Sequence, residues 1–532
     1  MKKKQLLSGV MALLLSASLC ACGGSKTAEG TSEAAGESSE AETSNTLSEG
    51  TPVPGGSVVY GMTQDLASLD PHVDTDAGTR DVVFNLYEGL VKPTSDGGFI
   101  PAVASDYTIS DDAKTYTFTL RDGVTFHDGT PVTIEDVKYS IDRYAEIQGE
   151  SSAFSSLVDS VEVQDDKTLV VNLKESYSEF LPMMTIAIIP KSNEDPAGNP
   201  IGTGPYKLDS WDAGQAITLV KNEDYFKGAP NIDKIIFKIV PDDNAKAIQM
   251  QSGELDLALL TPKDAKTFAD QDGYTCYDMK TSDYRGILYN FNNDYWTANK
   301  DIIPAINYAI DRQAIIDAVL LGQGMTAYGP LQRNIYNNEN VEHYDYDPEK
   351  SKEIMESVGC TMGEDGFYYR DGEKIGFVIS VGAGDQVRLD IAQAAAQQLK
   401  EVGIDCTVEV PTEVDWGGQM AYLIGWGSPF DADDHTYKVF GTDKGANYSS
   451  YSNALVDQYL IEARESADPE VRAEAYDKFQ EELAKDPAFT FICYIDANYV
   501  ANSSIQGISA DTVMGHHGVG IFWNVADWTI GN

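Results

Sequence analysis

Two short clusters in this sequence carry side chains able to do chemistry. The first is Asp431-Ala432-Asp433-Asp434-His435. Carboxylates beside an imidazole can hold a metal ion or the ammonium group of a ligand. The alternative is a solvated acidic loop. The second is His516-His517, flanked by Gly515 and Gly518. Paired imidazoles can meet nickel or zinc; the alternative is packing or main-chain hydrogen bonding in a tight turn. His72, His127 and His343 complete the six histidines.

Motifs that mark catalysis are missing. There is no G-x-S-x-G elbow, H-E-x-x-H pair, phosphate loop with lysine or G-x-G-x-x-G fingerprint. Gly202-Thr203-Gly204-Pro205 has neither the lysine nor the spacing of a phosphate loop. A Ser-His-Asp set need not be contiguous, so sequence alone leaves it open. With 84 acidic residues, chance carboxylate pairs are everywhere, and a glycosidase pair carries no weight. Cys276, Cys360, Cys406 and Cys493 form no C-x-x-C pair and are expected as buried free thiols, with disulfides of an exported chain as the alternative. The expectation is a protein that is not an enzyme and needs no cofactor.

The elements that must position these residues begin with an address. Met1-Lys2-Lys3-Lys4 is a positive n-region, and residues 6–19 form an apolar stretch too short to span a bilayer. It ends in Leu19-Cys20-Ala21-Cys22, which resembles the bacterial lipobox. Residues 1–21 are therefore expected as a lipoprotein signal peptide and Cys22 as the lipidated residue. Leu19 is too large for the position before Cys20. A plain secretory signal is the alternative. Residues 23–56 are mostly Gly, Ser, Thr, Ala and Glu, with no aromatic side chain. Such a stretch cannot bury enough apolar surface to fold, so 22–56 reads as a disordered acidic tether of roughly 30 Å reach.

The remainder reads as folded. The chain's 532 residues allow two or three domains, and 10% aromatic content is too rich for disorder. A net charge of −46 repels phosphate backbones, which excludes nucleic acid, and opposes docking on anionic lipid. Strands are predicted at 57–60, 234–240, 377–381 and 404–410. A hairpin is predicted from 116–120 and 124–126 around Arg121-Asp122-Gly123, with a second turn at 127–131. Thr133-Ile134-Glu135-Asp136 reads as a capped helix start. Further helices are predicted at 244–252 stopped by Gly253, behind Pro304 up to Gly322, at 385–402, and over 453–484 with a break at Asp468-Pro469. Alternating strands and helices make an α/β protein.

Several stretches together resemble the extracytoplasmic solute-binding proteins of ABC importers, in the large peptide- and nickel-binding family. They are Ser68-Leu69-Asp70-Pro71, Tyr87-Glu88-Gly89-Leu90, the run from Thr115 to Pro131 followed by Glu135-Asp136-Val137, Gly202 to Leu208, Gly253 to Asp256, Ala305 to Arg312, Tyr346 to Lys350, and Gly425-Trp426-Gly427. They keep the family's order over about 57–530. The resemblance implies a two-lobed, periplasmic-binding-protein-like (Venus flytrap) α/β fold. It places lobe I at 57–89, 191–287 and 506–532, an extra domain inserted at 90–190, and lobe II at 288–505. It also implies hinge closure on a solute, an ABC permease and ATPase as partners, and a monomer. Attachment would be through a lipid anchor alone, at the outer face of the cytoplasmic membrane. The implied cargo is a peptide or peptide-like small solute, with a nickel chelate as the alternative. A surface peptidase or glycosidase, or a sensor that does not transport, would be further departures.

Ligand contacts implied by the resemblance are Gly425, Trp426, Ser428, Asp431, Asp433, Tyr289 and Asn290. For nickel the candidates are His435, His516 and His517. Two departures from the family's pattern stand out. Ile303-Pro304 replaces a common valine-arginine pair, and Pro304 suits an early helix position. Pro429 stands where many peptide binders have the aspartate that anchors a peptide's α-ammonium, so Asp431 or Asp433 is expected to substitute.

Overall fold

Side-chain alternation decides the architecture. In the strand Ala421–Ile424, Ala421 and Leu423 enter one apolar core, while Tyr422 and Ile424 enter another. Ile492 and Phe491 divide between the same two cores. Successive side chains of a strand point to opposite faces, so a sheet buried on both faces must be covered on both sides. In the computed structural model the described residues are 52–53, 55–73, 77–94, 98–150, 152–383, 385–427, 432–510 and 520–531.

One eleven-stranded sheet organises them. From one edge its path runs Asp405–Glu409, Gly376–Ser380, Ala421–Ile424, Tyr274–Tyr289, Phe489–Asn502, Leu257–Leu260, Ser57–Met62, Lys234–Ile239, Ala216–Lys221 and Tyr206–Asp212, and the eleventh strand, Gly324–Thr326, pairs off this path with Phe489–Asn502. Each half contains parallel pairs: Gly376–Ser380 with both of its neighbours, and Ser57–Met62 with both of its own. Each half also has a core on either face. Tyr274–Tyr289 and Phe489–Asn502 pair antiparallel through the middle and belong to both halves. Between the pairs Lys280–Asp496 and Tyr284–Tyr494 their register shifts. Thr281, Ser282 and Asp283 bulge out against the single residue Ile495.

A third body has its own core, drawn from Leu90 to Ile188. Its four-stranded antiparallel sheet runs Ala104–Ile109, Thr115–Leu120, Thr168–Leu173, Val158–Val163. The helix Ile134–Gln148 joins that core through Ile134, Val137 and Ile141. Its start is a capping box, Thr133 and Asp136 each satisfying the other's main-chain N–H.

Other predicted elements appear with natural ends. Gly253 closes Asp243–Ser252 in the left-handed region, Asp385 caps Gln386–Glu401, and Asp468 caps Pro469–Lys485 after the predicted break. Pro304 lies in the first turn of Ile303–Ala309.

Three expectations are corrected. The hairpin around Arg121 does not form: Thr115–Leu120 pairs with Ala104–Ile109 and Thr168–Leu173, and Thr125 makes only an isolated bridge to Pro131. The single helix from 302 to 322 is two, Ile303–Ala309 and Arg312–Val319. The Arg312 guanidinium donates to the carbonyls of Asn307 and Ile310, taking up the end of the first helix, while Asp311 caps the second. Pro52–Val53, expected within the tether, pairs with Ile530 and Gly531. All four described cysteines are free thiols, three of them buried and Cys276 half-buried. Cys22 lies outside the described residues.

Candidate functional site

Gly425-Trp426-Gly427 leaves the sheet at the end of Ala421–Ile424, a strand with all four residues buried. Sheet and segment then meet more closely than any side chain allows. A Cβ at Gly425 would stand 1.9 Å from the Tyr284 carbonyl oxygen and 2.3 Å from Arg285 Nη1. At Gly427 it would stand 1.8 Å from the Ser282 carbonyl oxygen. The two glycines are needed because the bulged strand lies against them. The Tyr284 N–H donates to the Trp426 carbonyl across 3.0 Å and fastens the segment to the bulge.

Trp426 is half-buried and forms one end of an aromatic row. Its ring stacks at 6.0 Å and 27° on Tyr448, and Tyr448 stacks at 4.4 Å and 23° on Trp416. Phe489 meets Trp426 edge-on at 6.3 Å. Rigid aromatic faces offer contact area at little entropic cost, as small-molecule sites require.

Charges surround the bulge. Arg285 donates to Asp283 and to the Tyr284 carbonyl, and both side chains of the ion pair are buried. Burial pushes the Arg285 guanidinium down, but the Asp283 carboxylate outweighs it and holds the group above its ordinary value. Arg388 pairs with Asp385 at 3.1 Å; burial, and then repulsion from Arg285, push it down. On the other side Arg333 donates to the Thr281 carbonyl at 2.9 Å, the Ile495 carbonyl at 3.3 Å and Asp496 at 2.7 Å. One guanidinium thus ties both crossing strands where their register slips.

The other expected residues divide. Asp433 is buried in the helix Ala432–Phe440, where it accepts from the Tyr177 hydroxyl at 3.0 Å and from Arg464 at 3.2 Å. Its charge is met inside the protein. Tyr289, expected at the ligand, is fully buried in a core, with its hydroxyl 2.6 Å from that of Thr490. Asn290 is buried and donates to the carbonyls of Gly417 and Gln419. Tyr289 ends the fully buried part of its strand, and Asn290 follows it directly. His435 is buried with Nε2 3.3 Å from the Pro330 carbonyl. Ser428, Pro429, Asp431, His516 and His517 lie outside the described residues. Among the described residues no group of three His, Cys, Asp or Glu side chains is placed to hold a metal ion.

Sequence reading missed Asp283, Arg285, Arg333, Tyr448 and Trp416. Arg333 and Asp496 are 163 residues apart, a pairing no local pattern signals. A small pocket lined by Arg312, Tyr328, Asn338, His343 and Phe491 among others does not include Trp426. Main-chain carbonyls already occupy Arg312 there.

Comparison with known proteins agrees with this architecture. Residues 98–448 match the model of the bacterial extracellular solute-binding proteins, family 5. Protein XP55 of Streptomyces lividans is 33% identical over 85% of this chain and 86% of its own. The structure of NikZ from Campylobacter jejuni in complex with Ni(L-His) is 29% identical, with a TM-score of 0.79 over 89% of this chain and 99% of that one. The oligopeptide-binding protein AppA from Bacillus subtilis, solved with a nonapeptide, is 26% identical, with a TM-score of 0.74 over 91% of this chain and 100% of that one. With the shared sheet, the covered faces and the inserted body already in view, these matches identify a two-lobed chain that belongs to family 5 of the bacterial extracellular solute-binding proteins, the receptors of ABC importers.

Proposed function

We propose that the protein captures a peptide or peptide-like solute against Trp426 and delivers it to a membrane permease, from a lipid anchor at Cys22. The observation that carries the reading is the bond between the Trp426 segment and the bulge of the crossing strands. A solute resting on that segment acts directly on the element about which two lobes turn. Ligand contacts completed only on closure make the ligand stabilise the closed form. The nonapeptide complex of AppA supports a peptide cargo. A nickel chelate is the second reading, favoured by the likeness to NikZ with Ni(L-His).

Mass spectrometry and elemental analysis of natively purified protein separate the two. Peptides retained by wild type and lost from Trp426→Ala are the expected result. Stoichiometric nickel without peptide would favour the second reading. The anchor is tested by Cys22→Ala, which should leave the precursor uncleaved or release the protein from the membrane; unchanged processing and retention would contradict it.

A further inference from the structure

Closure needs contacts between the bodies as well as a hinge, and one such set is built from buried charge. Tyr177 lies between the strand Thr168–Leu173 and Leu181–Thr185 and belongs to the core of the inserted body. Its hydroxyl donates to Asp433 at 3.0 Å. Asp433 pairs with Arg464, whose guanidinium lies between the rings of Tyr177, at 4.5 Å, and Tyr437, at 4.2 Å. The next main-chain N–H, of Ser178, donates to the Arg464 carbonyl. Two residues on, Glu179 pairs with Arg472, and the side chains of that pair are 14% and 11% exposed. Asp433, Arg464 and Arg472 all stand on helices of the other body, Ala432–Phe440, Ala454–Glu465 and Pro469–Lys485. Those helices pack into a core that shares no residue with that of the inserted body.

We propose that Tyr177, Glu179, Asp433, Arg464 and Arg472 form a clasp that holds the inserted body against lobe II in the closed state. Two ion pairs removed from water, with an arginine between aromatic faces, resist parting because each charge would be left without its partner. Asp433 is seven residues beyond Trp426, so the clasp closes next to the segment that receives the solute. Its acid serves closure rather than the ligand's ammonium.

The test uses full-length protein stripped of solute, so it does not depend on the identity of the cargo. Tyr177→Phe removes one hydroxyl that bonds a carboxylate. It should speed hydrogen exchange in 174–181 and 432–440 roughly tenfold. Arg464→Met should do so more strongly and raise the radius of gyration, and added salt should move wild type in the same direction. Circular dichroism verifies folding; if Arg464→Met fails to fold, Tyr177→Phe decides alone. Exchange in both segments unchanged from wild type in a folded variant overturns the clasp.

Discussion

His127 shows a motif residue at work inside the fold. Its Nδ1 accepts from the Gly202 N–H at 3.2 Å and its Nε2 donates to the Gly204 carbonyl at 3.1 Å. One neutral imidazole therefore joins two of the stretches that carry the family resemblance. Gly202 is a close approach rather than a phosphate loop: a Cβ there would stand 2.1 Å from the Leu86 carbonyl oxygen. Burial pushes the His127 imidazole down to about 4 from its ordinary 6.5. The folded state thus releases its proton more readily than the unfolded chain. The stability this neutral form contributes is complete above pH about 6.5 and is lost as pH falls towards 4, by about 3 kcal/mol. Unfolding of wild type and His127→Gln across that window should show a steeper acid loss in wild type. Equal losses would contradict the assignment. At this scale the sequence drew attention to Gly425 and Trp426 as ligand contacts, and the structure sets both against the bulge of the crossing strands. The burial of Tyr289 and Asn290 was not legible, because residue type and position along the chain do not reveal how fully a sheet is covered on its two faces.

Elements were legible wherever a local signal marked their ends. Thr133, Gly253, Asp385 and Asp468 each sit at a helix boundary of the kind their chemistry favours. Helical spacing alone failed between Ala309 and Arg312, where a guanidinium collects carbonyls from several loops and breaks the pattern. The hairpin failed because the strand before Arg121, Thr115–Leu120, was given the neighbour next in sequence, whereas its partners lie at 104–109 and 168–173. The bulge at Thr281, Ser282 and Asp283 left no trace either, since a register slip is a property of two strands together. Arg333 is the tie across it. Arg333→Met should strip both crossing strands of a donor and leave Asp496 unpaired, at a cost of roughly 3 kcal/mol. Denaturant unfolding measures that cost, and exchange at 280–285 and 493–497 should rise with it. Unaltered exchange in those two stretches would show that the bulge holds without Arg333.

The whole molecule combines a sheet shared by two halves, a third body inserted in one, and the Gly425-Trp426-Gly427 segment fastened to the shared strands. Its acidity and absent catalytic motifs already pointed away from nucleic acid and towards a binder, and the family match states that class. No helix among the described residues is long and apolar enough to cross a membrane. The proposed function requires solute and hinge to be coupled: if both lobes contribute contacts, occupancy favours the closed form by the difference in affinity between the two states. That coupling is tested most directly by small-angle scattering on protein stripped of its retained solute and then reloaded with the solute fraction released from the same preparation. A radius of gyration that falls on reloading, in wild type but not in Trp426→Ala, is the predicted result; an unchanged radius with saturating solute bound to wild type would contradict closure about the crossing strands.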